Sequence, residues 1–390
     1  MPNDINTRGI YMIKILIGCL LILCNSANAQ TLDILADDEL VSPNAGDDIL
    51  LDLIAEESDE AKNIDTTKTE ENSTFFSFIS KPLSFLFSAD EVVTTKEGKK
   101  ETFLERSIRL ANEGKLEDQL NLGYMYLYGT NGVNQDYDEA FKYYTMAASQ
   151  NDPIALNNLG SLYFNGIGTK RDIPSAIDLF TRSADLGNDN AATNLAFIYL
   201  QGGAKDVKRN LMAINLFKAS AEKGNSIAKF MLGYAYYKGF VVEKNYVEAF
   251  KLIKESALSK GKLDEAQLIL AEMFASGHGT VQNYSNSVKM YREAVNQGNF
   301  EAYVKLANIY QEGKMYPQNL VLAHALYNIA SVNNPQAATF RDNISKKLKL
   351  EDLTLAQTNA QEFVAKPSEL TKYVRDTFGS NIRKYIDINM

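Results

Sequence analysis

Histidine occurs twice in this chain, cysteine twice and tryptophan not at all. A zinc site or a Cys/His nucleophile needs several such side chains brought together, and few are available. His278 lies in a Gly277-His278-Gly279 loop and His324 near the start of a later helix, with no cysteine or paired carboxylate beside either. Both cysteines, Cys19 and Cys24, fall inside an N-terminal apolar segment, so the rest of the chain has no thiol and no disulfide. Proline is sparse, eight in 390 residues, which leaves room for long uninterrupted helices. Positive charge is also short. A formal net charge of −9 argues against nucleic acid, whose phosphates require clustered Lys and Arg.

The usual catalytic and phosphate-binding motifs are missing too. The Gly-x-Gly pairs follow no strand and have no third glycine, so no dinucleotide site is indicated. No Walker-type loop and no Gly-x-Ser-x-Gly occurs. Ser226-Ile227-Ala228-Lys229 has the Ser-x-x-Lys spacing of penicillin-recognising enzymes, but the accompanying Lys-Thr-Gly and Ser-Asp-Asn are absent. No catalytic residue, metal ligand or cofactor is expected, and the chain reads as a binding protein rather than an enzyme.

Residues 1–29 have the anatomy of an export signal. Lys14 supplies the positive end, Ile15 to Cys24 is an apolar run, and Ala27-Asn28-Ala29 is a small-x-small cleavage site before Gln30. The run is half of the ~20 residues needed to span a bilayer, so the mature chain is expected to have no transmembrane span. A competing lipoprotein reading places the lipid on Cys19, but only Ile15 separates Lys14 from the Leu16-Ile17-Gly18-Cys19 motif. The expected location is periplasmic or secreted.

Residues 30–95 read as an acidic, mostly disordered linker. Within it, residues 30–71 hold fourteen Asp/Glu against Lys62 and Lys68, a charge of −12, so the body from residue 72 onward is near +2. An aromatic cluster at 75–87 (Phe75, Phe76, Phe78, Phe85, Phe87) interrupts it and is read as docking on the first helix or marking a contact.

What the chain does have is repetition. Six segments carry a small residue, an aromatic three places on and a glycine six places on: Gly123/Tyr126/Gly129, Gly160/Tyr163/Gly166, Ala196/Tyr199/Gly202, Gly233/Tyr236/Gly239, Ala271/Phe274/Gly277 and Ala307/Tyr310/Gly313. The small residues are 37, 36, 37, 38 and 36 apart. A leucine precedes each and shares a helix face with the aromatic four places later. The small residue permits a close helix crossing, and the final glycine supplies the left-handed conformation that ends helix A. A second small residue, Ala140, Ala176, Ala213, Ala249, Ser287 or Ala323, marks helix B. Each unit is a helical hairpin that can bury its apolar face only by stacking. The expected architecture is all-α: a right-handed α-solenoid of six helix-turn-helix repeats over residues 96–365. Capping helices are expected near 102–111 and 336–365, the latter divided near 350–354. Residues 366–390 form a C-terminal tail with little pattern.

The pattern Ala-x-x-x-Leu-Gly-x-x-Tyr-x-x-Gly followed by Asp/Asn-x-x-x-Ala stands plainly in Ala155 to Ala176 and Ala228 to Ala249. It resembles the Sel-one-like repeat (SLR) family, a relative of the tetratricopeptide repeats, over about residues 103–363. The resemblance implies a superhelix whose helices A line the concave face, and adaptor roles in multiprotein assemblies. Some bacterial members have a disulfide in each repeat and bind penicillin-like compounds. The absence of cysteine from these repeats weakens that transfer.

The expected partners are proteins or peptides, with cell-wall glycan a further candidate, bound to the helix A face of an exported scaffold. Alternatives are a binder or hydrolase of cell-wall or penicillin-like compounds, or a secreted host-interaction factor. Asn121, Asn158 and Asn194 recur two places before the small residue, and such a carboxamide row can hold an extended backbone. Tyr124, Phe197 and Tyr234, one place after it, are candidate aromatic anchors. The competing reading is that the asparagines bridge neighbouring repeats and the aromatics complete the core.

Overall fold

The computed structural model describes residues 92–94, 100–201, 206–387 and 390. The export signal, the acidic linker and its aromatic cluster lie outside the described residues. The first elements are two short antiparallel strands, β1 (Val92–Thr94) and β2 (Lys100–Thr102), ahead of the lone helix α1 (Phe103–Asn112). This small ribbon was not expected. Thr102 also explains why α1 begins where it does, because its side chain and Glu105 form a reciprocal capping box.

Six hairpins follow, each a helix A and a helix B. They are α2 (Leu116–Tyr128) with α3 (Tyr137–Ala148), α4 (Pro153–Asn165) with α5 (Ile173–Asp185), and α6 (Asp189–Gln201) with α7 (Val207–Glu222). Next come α8 (Ser226–Lys238) with α9 (Tyr246–Ala257), α10 (Asp264–Ser276) with α11 (Tyr284–Asn296), and α12 (Phe300–Glu312) with α13 (Leu320–Ala330). All six helices B start on an Asp or Asn whose carboxyl or carboxamide oxygen accepts a first-turn N–H: Asp136, Asp172, Asp206, Asn245, Asn283 and Asn319. In units 1, 2, 4, 5 and 6 the cap stands four places before the small residue, which is the physical content of the Asp/Asn-x-x-x-Ala half of the repeat; in unit 3 Asp206 stands seven before Ala213. The glycine half is equally direct: Gly129 ends α2 at φ 63° and Gly277 ends α10 at φ 75°.

The small residues do what close crossing requires. A Cβ on Gly123 would lie 2.9 Å from the Tyr144 ring of its own helix B, and one on Gly233 would lie 2.8 Å from Ile253. Serines near the ends of helices B close the hairpins, with Ser183 Oγ donating to Pro153 O and Ser256 Oγ donating to Ser226 O at 2.8 Å. Neighbouring units are joined by the residue that opens the next helix A. Asn225 Nδ2 donates to Asp189 Oδ2 at 3.0 Å, and Asn299 Nδ2 donates to Asp264 Oδ2 at 2.9 Å. Bonds 35 or 36 residues apart therefore recur from unit to unit, as expected of a solenoid stabilised by nearest neighbours.

One loop glycine gives a sharp stability prediction. Gly168 sits at φ 61°, and a Cβ there would collide with the carbonyl oxygen of Tyr137 in the preceding unit. Gly168→Ala combines a left-handed backbone with a blocked inter-unit contact. It is expected to cost more than about 1 kcal/mol, read as a lowered midpoint in thermal melts followed by circular dichroism.

Beyond the sixth unit stand α14 (Pro335–Ser345) and α15 (Leu350–Glu362), the two expected closing helices. The break falls at 346–349 rather than 350–354, because Glu351 and Asp352 suit the first turn of α15. The C-terminal residues differ from the expected tail. They form α16 (Glu369–Phe378) and the short α17 (Lys384–Asp387), which pack back onto the repeats.

Candidate functional site

The helices A make a continuous row, and the six candidate side chains all lie on it. Asn121 and Asn158 are buried, and Asn194 is half-buried. Asn194 Nδ2 donates to Asn157 Oδ1 at 3.0 Å across the junction of units 2 and 3, and Asn157 Nδ2 donates to Asn158 Oδ1 at 3.3 Å. The carboxamides thus join two helices A to each other and present no open row. Of the aromatics, Tyr124 is half-buried against Tyr128 with ring centroids 4.4 Å apart, while Phe197 and Tyr234 are buried.

What covers Phe197 and Tyr234 is the C-terminal segment. The Phe378 ring stacks on Phe197 with centroids 3.9 Å apart. Tyr373 Oη donates to Asn194 Oδ1 at 3.4 Å, and Tyr234 Oη donates to Asp387 Oδ1 at 3.0 Å. Gln201 Nε2 donates to Tyr385 Oη at 3.3 Å. Three of the six candidates, in units 3 and 4, therefore already hold a piece of polypeptide.

The segment is anchored by charge at units 5 and 6. Asp264 and Glu265 open α10 and are buried. Arg375 Nη2 donates to Asp264 Oδ2 at 2.7 Å. Arg383, also buried, donates through Nε to Glu265 Oε2 at 2.6 Å and through Nη2 to Glu301 Oε2 at 2.7 Å. Thr371 completes the seat: its hydroxyl donates to Gln297 Oε1 at 2.7 Å and accepts the Asp264 N–H at 3.1 Å. Gly261 leaves the space for Leu370, since a Cβ there would lie 2.6 Å from Leu370 Cδ2. Sequence reasoning missed Asp264, Glu265, Glu301 and Gln297. Two adjacent acids at the start of one helix A were the available signal, but acids there also suit the helix dipole and so do not stand out.

Burial pushes the Glu265 carboxyl up to about 7, with the Arg383 guanidinium pulling the other way. Burial likewise raises Asp376, on α16, to about 6. Both folded values exceed the unfolded carboxylate values of 4.5 and 3.8. The stability tied to these two protons is therefore fully present below about pH 4. It is lost as pH rises through about 6 for Asp376 and about 7 for Glu265. Melts across pH 5–8 are expected to show a midpoint falling with pH, and Glu265→Gln is expected to flatten that slope. An unchanged slope in the variant would place the proton elsewhere.

Beside the segment an open pocket remains, walled by Asn157, Ser161 and Phe164 of unit 2, Phe197 of unit 3, and Tyr373 and Phe378 of α16. It is mostly apolar, with carboxamides at its edge, and suits a side chain of a bound polypeptide. The histidines serve packing. His278 stacks on Tyr246 with centroids 4.3 Å apart, and buried His324 pairs with Ser345 at 2.9 Å. Among the described residues no group of three His, Cys, Asp or Glu is arranged to hold a metal ion, and no helix is long and apolar enough to cross a membrane.

Comparison with known proteins agrees with this arrangement. The Sel1 repeat matches six times, at residues 116–152, 153–188, 189–225, 226–260, 264–299 and 300–331. Chitin synthase regulatory factor 2 of Schizosaccharomyces pombe is 28% identical over 250 residues, 60% of this chain and 48% of that protein. A component of an ERAD-associated E3 ubiquitin-protein ligase from Arabidopsis thaliana, HRD3B, is 42% identical over 55 residues, 14% of this chain and 9% of its own length. The chain thus spans less than half the length of the curated relatives it matches. Among solved structures, a Sel1 repeat protein from Oxalobacter formigenes is 28% identical with a TM-score of 0.51, covering 59% of this chain and all of that one. Six matched repeats, spaced as the six hairpins are, make the chain a member of the Sel1 repeat family, whose repeats mediate protein–protein interaction.

Proposed function

We propose that the protein is a non-enzymatic adaptor, exported to the periplasm or secreted, that binds protein or peptide partners on its helix A face. The observation that carries this reading is the face itself. It holds a helical piece of polypeptide by aromatic stacking, buried ion pairs and hydrogen bonds to carboxamides, and it leaves an apolar pocket open beside it. Those are the contacts by which interfaces anchor a partner. Tyr124, Asn194, Phe197 and Tyr234 are the contact residues on this reading, while Asn121 and Asn158 support the units beneath. Export rests on the signal anatomy of residues 1–29.

Two measurements test it. Fractionation of the source cell with N-terminal sequencing is expected to find the protein outside the cytoplasm and beginning at Gln30; a cytoplasmic chain retaining residues 1–29 removes the export half. For binding, the exported chain is used to retain partners from an envelope extract, in parallel with a Ser161→Arg variant that blocks the open pocket. A partner retained by the first and lost by the second, at unchanged helicity, supports the adaptor. Equal retention by both argues against this face.

A further inference from the structure

The C-terminal segment is more than a cap. A structural cap covers the apolar face of a terminal repeat, and α14 and α15 already stand beyond unit 6. Residues 366–387 instead leave that end and run along the inner row, from Lys262 and Gln297 at the two ends of unit 5 to Asn194 and Phe197 in unit 3. The stretch joining them to α15, residues 363–368, has no regular structure. In units 2 to 4 the hairpins close without the segment: serines of helix B donate to carbonyls of their own helix A, and Asn299 joins unit 6 to unit 5.

The surface beneath the segment has the character of a receptor. Asp264 and Glu265 are buried carboxylates whose cations, Arg375 and Arg383, both come from the segment. Burying such charges is costly unless a cation is supplied, so this part of the row calls for a basic occupant. Further along, Phe197 calls for an aromatic one. The segment meets both demands: Tyr373, Val374 and Phe378 share one helical face, with Arg375 beside them and Arg383 five residues past Phe378.

We propose that this inner row is a receptor for a basic–aromatic, partly helical segment of a partner protein, and that residues 366–387 are its occupant in cis, which such a partner displaces. The proposal rests on the adaptor reading and names its partner's chemistry: two aromatics about five residues apart on one face, and arginines placed to meet Asp264, Glu265 and Glu301. Apparent affinity for a partner is then reduced by the fraction of molecules whose groove is closed.

The test uses the full chain and a fluorescent synthetic peptide of residues 366–390 as probe. Wild type is expected to bind the probe weakly. A full chain carrying Tyr373→Ala and Phe378→Ala, which weakens the occupant and leaves the receptor intact, is expected to bind it at least about tenfold more tightly. A probe with Arg375→Glu and Arg383→Glu is expected to lose that binding. Leu370→Asp, which loosens the other end of the segment, serves as a second variant should the first fail to keep its helical content. Equal probe affinity in wild type and a folded variant, or indifference to the charge reversal, overturns the proposal and leaves the segment a structural clasp. That failure is separable from failure of the adaptor reading, which is scored by partner retention and by the Ser161→Arg variant.

Discussion

Replacing Arg383 by alanine is expected to destabilise the folded chain by about 3–5 kcal/mol near pH 8, the usual consequence of leaving a buried charge without its partner. The guanidinium is buried and joins Glu265, which α10 supplies, to Glu301, which α12 supplies. Its removal strands Glu265 in a site that already disfavours the carboxylate. The loss has a ceiling, because a stranded buried carboxylate takes up a proton rather than remain charged. The cost is therefore expected to shrink as pH falls toward 5. Glu265→Gln in the Arg383→Ala background is expected to recover much of it, since the neutral amide needs no cation. Urea titrations of the four chains of this double-mutant cycle at pH 8 and pH 5.5 read both effects. A pH-independent loss that Glu265→Gln does not relieve would mean that Arg383 acts mainly through its guanidinium over the Tyr234 ring, whose centroid is 5.8 Å from the guanidinium carbon.

The contrast between what the residues announce and what they hide follows from repetition. The hairpins are legible because every structural demand recurs along the chain: a small residue where helices cross, a glycine after helix A, at positive φ at Gly129, Gly166, Gly239, Gly277 and Gly313, and an Asp or Asn cap. Gly123 and Gly233 face the clash the spacing implies, and all six helix B caps are Asp or Asn. The C-terminal segment is written only once. Leu370, Tyr373, Val374 and Phe378 do follow a helical period, but α16 is ten residues long, short enough to be marginal in isolation. The segment is held by distant partners, Asp264 lying 107 residues from Thr371 and Gln201 lying 184 from Tyr385, and no local pattern carries such pairings. The asparagines alone do not distinguish a peptide groove from a junction between units, for a related reason. A carboxamide fits a peptide backbone and a neighbouring carboxamide equally well, and only burial distinguishes Asn158, locked against Asn157, from Asn194, which also accepts from Tyr373.

Phe197→Ala is expected to have an effect of similar size, about 3–5 kcal/mol, but with a different reach. The ring is 1% exposed and stands where three elements meet. It stacks on Phe378 of α16, and it meets edge-on both Phe217 of α7, centroids 5.2 Å apart, and Tyr385 of α17 at 5.3 Å. Alanine leaves a cavity that the helix A–helix B hairpin of unit 3 and the C-terminal segment must share, and neither can fill it without abandoning the other. Phe378→Ala removes the same stacked pair from the other side, where the hairpin of unit 3 keeps its own Phe197–Phe217 contact. Hydrogen exchange separates the two outcomes. Phe378→Ala is expected to raise exchange across residues 369–387 and leave α6 and α7 protected, whereas Phe197→Ala is expected to raise it in both places. Because a solenoid is held by its nearest-neighbour interfaces, a weakened third unit should also let the first two units open independently of the last three. Loss of protection in α2 to α5 ahead of α8 to α13 would be the sign of that uncoupling. If Phe197→Ala instead perturbs only residues 369–387, the ring belongs to the receptor surface rather than to the spine of the repeats.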